Sequence, residues 1–135
     1  PLLKANWRKF KAVMMEGVLT PRVKQAIALL VSSDNGCSYC VAAHTAALLA
    51  IGLTREEIAA LSEDLNRGDF SAREKALIAF ARNANRQPLQ IAEGEFAALR
   101  KTGARDAEIV EALGVMVLFT AFNKFLDALQ VDIDF

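Results

Sequence analysis

Every clear boundary signal along this chain marks the start or the end of a helix. Thr20-Pro21 has the form of an N-cap followed by proline at the first helical position. Thr54 with Glu57 and Ser71 with Glu74 have capping-box spacing, in which each side chain satisfies the other residue's backbone N–H. Gly36, Gly52 and Gly103 stand where helices would stop, and Pro88 opens a further segment. No stretch alternates β-branched and polar residues, and no Asn-Gly pair joins two such stretches. An all-α fold of about six or seven helices with short links is therefore expected. The segments are "KANWRKFKAVMM", "PRVKQAIALLVSS", a helix starting near Cys37 and running through "VAAHTAALLAI", "REEIAALSEDLN", "AREKALIAFARNANR", "LQIAEGEFAALRKT" and a long closing segment from Arg105 that could bend near Gly114. With 135 residues and no linker, repeat or low-complexity tract, residues 1–135 read as a single domain.

Composition narrows the function classes. Sixteen Lys and Arg balance sixteen Asp and Glu without blocks of either sign, so a nucleic-acid partner is not expected. The longest apolar run, "ALGVMVLFTAF" at 112–122, is shorter than the roughly 20 residues a membrane span needs, so no membrane partner is expected either. Lysine and arginine scattered through "PLLKANWRKFKAVMM" leave no apolar core for an export signal, and a cytoplasmic location follows as the expectation. The hydrophobic fraction of 53% is high for so small a chain. Together with the thin polar faces of the two helices at 21–51, it predicts a homo-oligomer.

The chain's only two cysteines and its only histidine stand together in "NGCSYCVAAH". At 3.6 residues per turn Cys37, Cys40 and His44 fall within an arc of about 60° on one helix face. The Asp34-Asn35-Gly36 turn would put Cys37 at the helix N-terminus, where the macrodipole favours a thiolate. His44, one turn past Cys40, could accept that thiol's proton. Three readings remain open on the residues alone: a redox pair, in which a peroxide oxidises one sulfur and the other closes a disulfide; a metal site, for which no further Cys or His exists; and two buried thiols beside a core histidine. No Gly-rich phosphate loop or dinucleotide fingerprint is present, and neither an organic cofactor nor a metal is expected.

"PRVKQAIALLVSSDNGCSYCVAAHTAALLAIGLTREEIAAL", with "FSAREKALIAFAR" and a late "FNKFLDALQ", resembles the alkyl hydroperoxidase D-like, peroxidase-related branch of the carboxymuconolactone decarboxylase superfamily. The resemblance covers nearly the whole chain and is sharpest at Cys-x-x-Cys-x-x-x-His. It implies an all-helical fold assembled as trimers or hexamers, and thiol peroxidase activity on a hydroperoxide with a dithiol reductant, lipoylated or thioredoxin-like. By position it makes Cys40 the peroxidatic thiol, Cys37 the resolving thiol and His44 part of a proton relay. The relay carboxylate of the family, twelve residues before the first cysteine, is replaced here by Gln25, which can orient an imidazole but cannot take its proton. Glu16 is the nearest upstream carboxylate. The competing reading is a non-catalytic, redox-responsive oligomer whose Cys37–Cys40 disulfide alters assembly. Tyr39 is expected to point away from the reactive face as packing, Trp7 and Phe10 to anchor the first helix, and Phe119, Phe122 and Phe125 to form core or subunit contacts.

Overall fold

The computed structural model describes residues 1–135. It contains seven α-helices: α1 (Leu2–Met14), α2 (Pro21–Asp34), α3 (Ser38–Ala50), α4 (Arg55–Glu63), α5 (Ala72–Arg86), α6 (Glu93–Lys101) and α7 (Asp106–Ala128), with short 3₁₀ turns at Leu65–Arg67 and Pro88–Gln90. The expected caps close as drawn. Thr20 Oγ1 accepts from the Val23 N–H, and in both capping boxes the hydroxyl and the glutamate carboxylate satisfy one another's backbone N–H at 2.7–3.1 Å. Glu95 and Glu108 reach back in the same way to Ala92 and Arg105, whose side chains cannot complete the box, so these two starts carry a weaker sequence signal.

α2 is the centre of the bundle. α3, α5 and α7 pack along it, which buries Val23, Ala26, Ile27, Leu30 and Val31 together with Ala28 and Leu29. The thin polar face of α2 is thus consumed inside the chain and does not by itself call for a second subunit. α3 differs, because Val41, Ala42, Ala43, Ala47 and Leu49 stay partly exposed. α7 runs unbroken through Gly114, so the apolar run at 112–122 belongs to a helix of 23 residues with a mean hydropathy of 1.7 over its most apolar window. Contrary to the sequence expectation, this helix is long and apolar enough to cross a membrane by length and composition. Here it packs against α1, α2, α3 and α5 through Ile109, Ala112, Val115, Leu118 and Phe119.

One buried ion pair ties the bundle together. The Lys24 side chain is almost wholly buried; its ammonium meets the Glu111 carboxylate and donates to the carbonyls of Val13 and Glu16. Glu111 also accepts from the Val18 and Leu19 N–H groups at 2.8 and 3.1 Å. Burial works against the Glu111 anion, but Lys24 and the two amides outweigh it and hold the carboxyl below its ordinary range. The α1–α2 loop can approach this closely only because residue 17 is glycine. Its φ is +97°, and a Cβ there would fall 2.0 Å from a Glu111 oxygen.

Candidate active site at the start of α3

The turn between α2 and α3 is held from several sides before any reactive group is placed. Gly36, at φ +76°, lets the chain reverse, and the Cys37 N–H donates back to the Ser32 carbonyl at 3.0 Å. The Asp34 carboxylate takes two hydrogen bonds from Arg82, both 2.8 Å, and another from Arg86 on α5. Asn35 donates to Asn123 of α7, and the buried Asn123 donates to Ser32, each at 2.9 Å. A side-chain network of this kind, anchored on the buried Asn123 and Ser32, is satisfied only in one register, so the start of α3 has a defined place against α5 and α7.

Cys37 is the N-cap of α3, and its sulfur accepts from the Cys40 N–H at 3.4 Å. The two thiols are free and their sulfurs are 2.7 Å apart, beyond the ~2.05 Å of a disulfide but close enough to form one with little movement. The helix N-terminus, which favours a thiolate, is opposed at Cys37 by burial. Burial, with a contribution from the neighbouring Cys40, pushes the Cys37 thiol up to about 12, and the single N–H bond from Cys40 does not compensate.

Cys40 and His44 open onto one cavity of about 370 Å³, with Gln25 of α2 beside them and walls from Phe10, Tyr39, Phe119 and Phe122. His44 Nδ1 lies 2.8 Å from Gln25 Oε1. That oxygen only accepts, so the ring hydrogen sits on Nδ1 and Nε2 presents a lone pair. Nε2 is buried with no hydrogen-bond partner. The ring packs edge-on against Phe119 at a centroid distance of 4.3 Å. Burial lowers the histidine to about 4, so the imidazole is neutral at physiological pH and can act as a base.

The same burial makes His44 a pH-sensitive element of stability. Its folded value lies below the unfolded value of 6.5, so the unfolded chain binds the proton more readily. This contribution to stability is intact above about pH 6.5 and is lost as the pH falls from there through about 4, to an extent of about 3 kcal/mol. Urea unfolding of wild type and His44→Asn between pH 7 and pH 4 should show the two stabilities converging as the pH falls. A difference independent of pH would refute the assignment.

Of the residues singled out from sequence, Cys37, Cys40, His44 and Gln25 come together, although Gln25 belongs to a different helix. Glu16 does not join them; its side chain is exposed, and its main-chain carbonyl is taken by Lys24. Tyr39 does not point away from the reactive face but lines the cavity, with its ring edge-on to Phe135 at 5.5 Å. Phe10, Phe119 and Phe122 are likewise cavity walls as well as packing, while Trp7 stacks on Phe10 at 5.6 Å and stays half exposed. Only the packing of α1 on α7 and of α7 on α3 reveals these roles, and no spacing within α1 or α7 announces them. No cluster of three or more His, Cys, Asp or Glu side chains is suited to a metal ion.

The model of the carboxymuconolactone decarboxylase family matches residues 1–83. Among solved structures the chain is similar to an uncharacterized peroxidase-related protein from Silicibacter sp. TM1040, with 28% identity and a TM-score of 0.85 over 93% of this chain and 66% of that one. It therefore spans just under two thirds of that relative. It shares its fold with a protein of unknown function from Agrobacterium tumefaciens, named as a candidate antioxidant-defence AhpD, at 22% identity and a TM-score of 0.86 over 99% of this chain and 91% of the other. It also shares its fold with the debrominase Bmp8, solved in complex with 2,3,4-tribromopyrrole, at 22% identity and a TM-score of 0.83 over 98% of this chain and 71% of the other. No curated protein matches.

Proposed function

Because this chain belongs to the carboxymuconolactone decarboxylase family and has the fold of its AhpD-like, peroxidase-related members, we propose that it is a thiol-dependent hydroperoxidase working through the Cys37–Cys40 pair. The observation that carries this reading is the division of labour in the dithiol. Cys40 opens with the neutral His44 onto a shared cavity, and Cys37 waits 2.7 Å behind it, closed off from that cavity. In the first step His44 Nε2 takes the Cys40 proton as the sulfur attacks the terminal oxygen of a hydroperoxide. The O–O bond breaks, the alkoxide leaves as the alcohol with the relayed proton, and Cys40 becomes a sulfenic acid. Cys37 then displaces water from that sulfur to give the disulfide, and an external dithiol restores both thiols by exchange. Gln25 accepts the Nδ1 hydrogen and so leaves Nε2 as the basic nitrogen.

A lipoylated or thioredoxin-like dithiol is the proposed reductant, and a homo-oligomer covering the partly exposed face of α3 is the proposed assembly. The test is the intact mass after peroxide treatment, followed by turnover with a dithiol donor. Loss of two hydrogens and repeated consumption of peroxide are the expected results. A single oxidation without turnover would sink the enzyme reading and leave a redox-responsive oligomer. Trapping sulfenic acid in Cys37→Ser and in Cys40→Ser assigns the roles: the trapped product should form in Cys37→Ser alone, and its appearance only in Cys40→Ser would reverse them.

A further inference from the structure

The cavity that Cys40 and His44 share has no charged side chain in its wall. Four aromatic rings line it, Phe10, Tyr39, Phe119 and Phe122, and its polar groups besides the thiol are Gln25 and His44. Gln25 Oε1 is engaged with Nδ1 of the imidazole, while the buried Nε2 has no partner. At about 370 Å³ the space admits a substituted benzene ring, since benzene itself enters an apolar cavity of about 150 Å³. A charged group entering it would lose its water and meet no counter-ion. Phe10 is the one wall that does not come from α2, α3 or α7. It belongs to α1, whose only buried residue is Met14 and which packs on α7. Its ring is nonetheless held from several sides. Trp7 stacks on it at 5.6 Å with planes 10° apart, and Phe122 meets it edge-on at 6.5 Å. One turn further along α1, the Val13 carbonyl accepts from Lys24 of α2 at 2.8 Å. Phe122 lies 6.2 Å from Phe119, whose ring stands against His44. A continuous row of rings therefore runs from Phe10 to the imidazole.

We propose that Phe10 is the specificity residue of this site, and that with Phe122 it selects an uncharged hydroperoxide bearing an aromatic ring over ring-free and charged hydroperoxides. The proposal rests on the hydroperoxidase reading and names its substrate class. At Cys40 the Sγ–O bond forms and the O–O bond breaks. The alkoxide keeps the ring, takes the proton relayed by His44 and becomes the alcohol. Its O–H then has the partnerless Nε2 as acceptor, and its ring has Phe10 and Phe122 to pack against. A saturated hydroperoxide buries apolar surface in the same space but lacks the ring-on-ring contact. Hydrogen peroxide reaches none of these rings and exchanges water for an apolar wall.

The experiment compares cumene hydroperoxide with tert-butyl hydroperoxide, which has the same tertiary centre and no ring, and with hydrogen peroxide. In the wild type kcat/KM for cumene hydroperoxide should exceed that for tert-butyl hydroperoxide by about tenfold, the size of a good aromatic contact. A carboxylate on the cumyl ring should abolish that advantage. Phe10→Ala should lower kcat/KM for cumene hydroperoxide by about tenfold and leave the other two peroxides within about twofold. Phe10→Leu keeps apolar volume between α1 and α7 and should lose the same preference in a folded chain, whereas Phe10→Tyr should retain it. An equal loss on all three peroxides in the folded Leu variant, or a wild type that turns all of them over equally, overturns the proposal. The unreactive alcohol product, 2-phenyl-2-propanol, gives a second readout. In a saturation-transfer NMR titration it should bind the wild type about tenfold more tightly than Phe10→Leu. Failure to consume any hydroperoxide would overturn the hydroperoxidase reading, and this titration would still report on the cavity. Equal affinity in the two proteins, or no binding to either, would overturn the role of Phe10.

Discussion

Replacing His44 with asparagine should slow peroxide-dependent oxidation of Cys40 by about 10²- to 10⁴-fold near neutral pH, the range in which a positioned base contributes. Asparagine keeps a hydrogen-bonding group near Gln25 and removes the lone pair of Nε2, which is buried and has no other partner. In the wild type the rate should fall as the pH drops towards about 4, where the imidazole becomes protonated and can no longer accept. The variant should lack that acid limb. Gln25→Glu makes the reciprocal change by setting a carboxylate where an amide oxygen now lies 2.8 Å from Nδ1. A neighbouring opposite charge shifts a titrating group by about 1–3 pH units, so the acid limb should move upward. The rate near neutrality should rise because the imidazolium formed during proton transfer is stabilised. Stopped-flow oxidation from about pH 4 to 9, the range around the free-histidine value, with circular dichroism to verify folding, tests both variants. If folded His44→Asn stays within tenfold of wild type, the base is elsewhere. An unaltered profile in Gln25→Glu would remove Gln25 from the relay.

Lys24→Met should cost about 3–5 kcal/mol of stability, the usual penalty for breaking a buried pair and leaving one charge behind. A domain of this size has only about 5–15 kcal/mol in total, so the loss would bring the chain close to unfolding at physiological temperature. The size follows from what Lys24 meets. Its ammonium joins the Glu111 carboxylate to two main-chain carbonyls, and Glu111 in turn holds the Val18 and Leu19 amides. Removing the cation strands the Glu111 carboxylate and the two carbonyls, while the Val18 and Leu19 amides keep Glu111. The double variant Lys24→Met, Glu111→Leu should regain much of the loss, because an apolar pair of similar volume avoids the stranded anion. Urea melts of wild type, both single variants and the double variant decide it. A single-variant loss below about 1 kcal/mol would mean that the pair behaves as a surface ion pair. Since Lys24 directly precedes Gln25 on α2, the single variant should also lower the oxidation rate of Cys40.

The sequence by itself determined whatever depends on neighbours within one turn of helix. The boundaries at Thr20-Pro21, Thr54 and Ser71 were legible because capping is a bond between residues three apart. The alignment of Cys40 and His44 on one face of α3 was legible because a spacing of four residues is about one turn whatever surrounds the helix, whereas Cys37, as the extended N-cap, lies outside that period. Tertiary structure decided everything that depends on which distant segment fills the space beside those residues. The Cys37 thiol is raised despite its N-cap position, because packing removed the water that would solvate the anion. His44 became a neutral base because α2 brought Gln25 to one nitrogen and α7 brought Phe119 to the ring face, leaving the other nitrogen dry. Lys24 reads as one more surface cation in "PRVKQAIALL", yet it is buried because α7 offers Glu111 at that height. Tyr39, Phe10 and Phe122 line the cavity beside Cys40 for the same reason, and no local pattern could have placed them there. Backbone hydrogen bonds and helix period are short-range and written in spacing, whereas solvation and charge pairing are set by contacts between residues up to about ninety apart in the chain, beyond the reach of any periodicity.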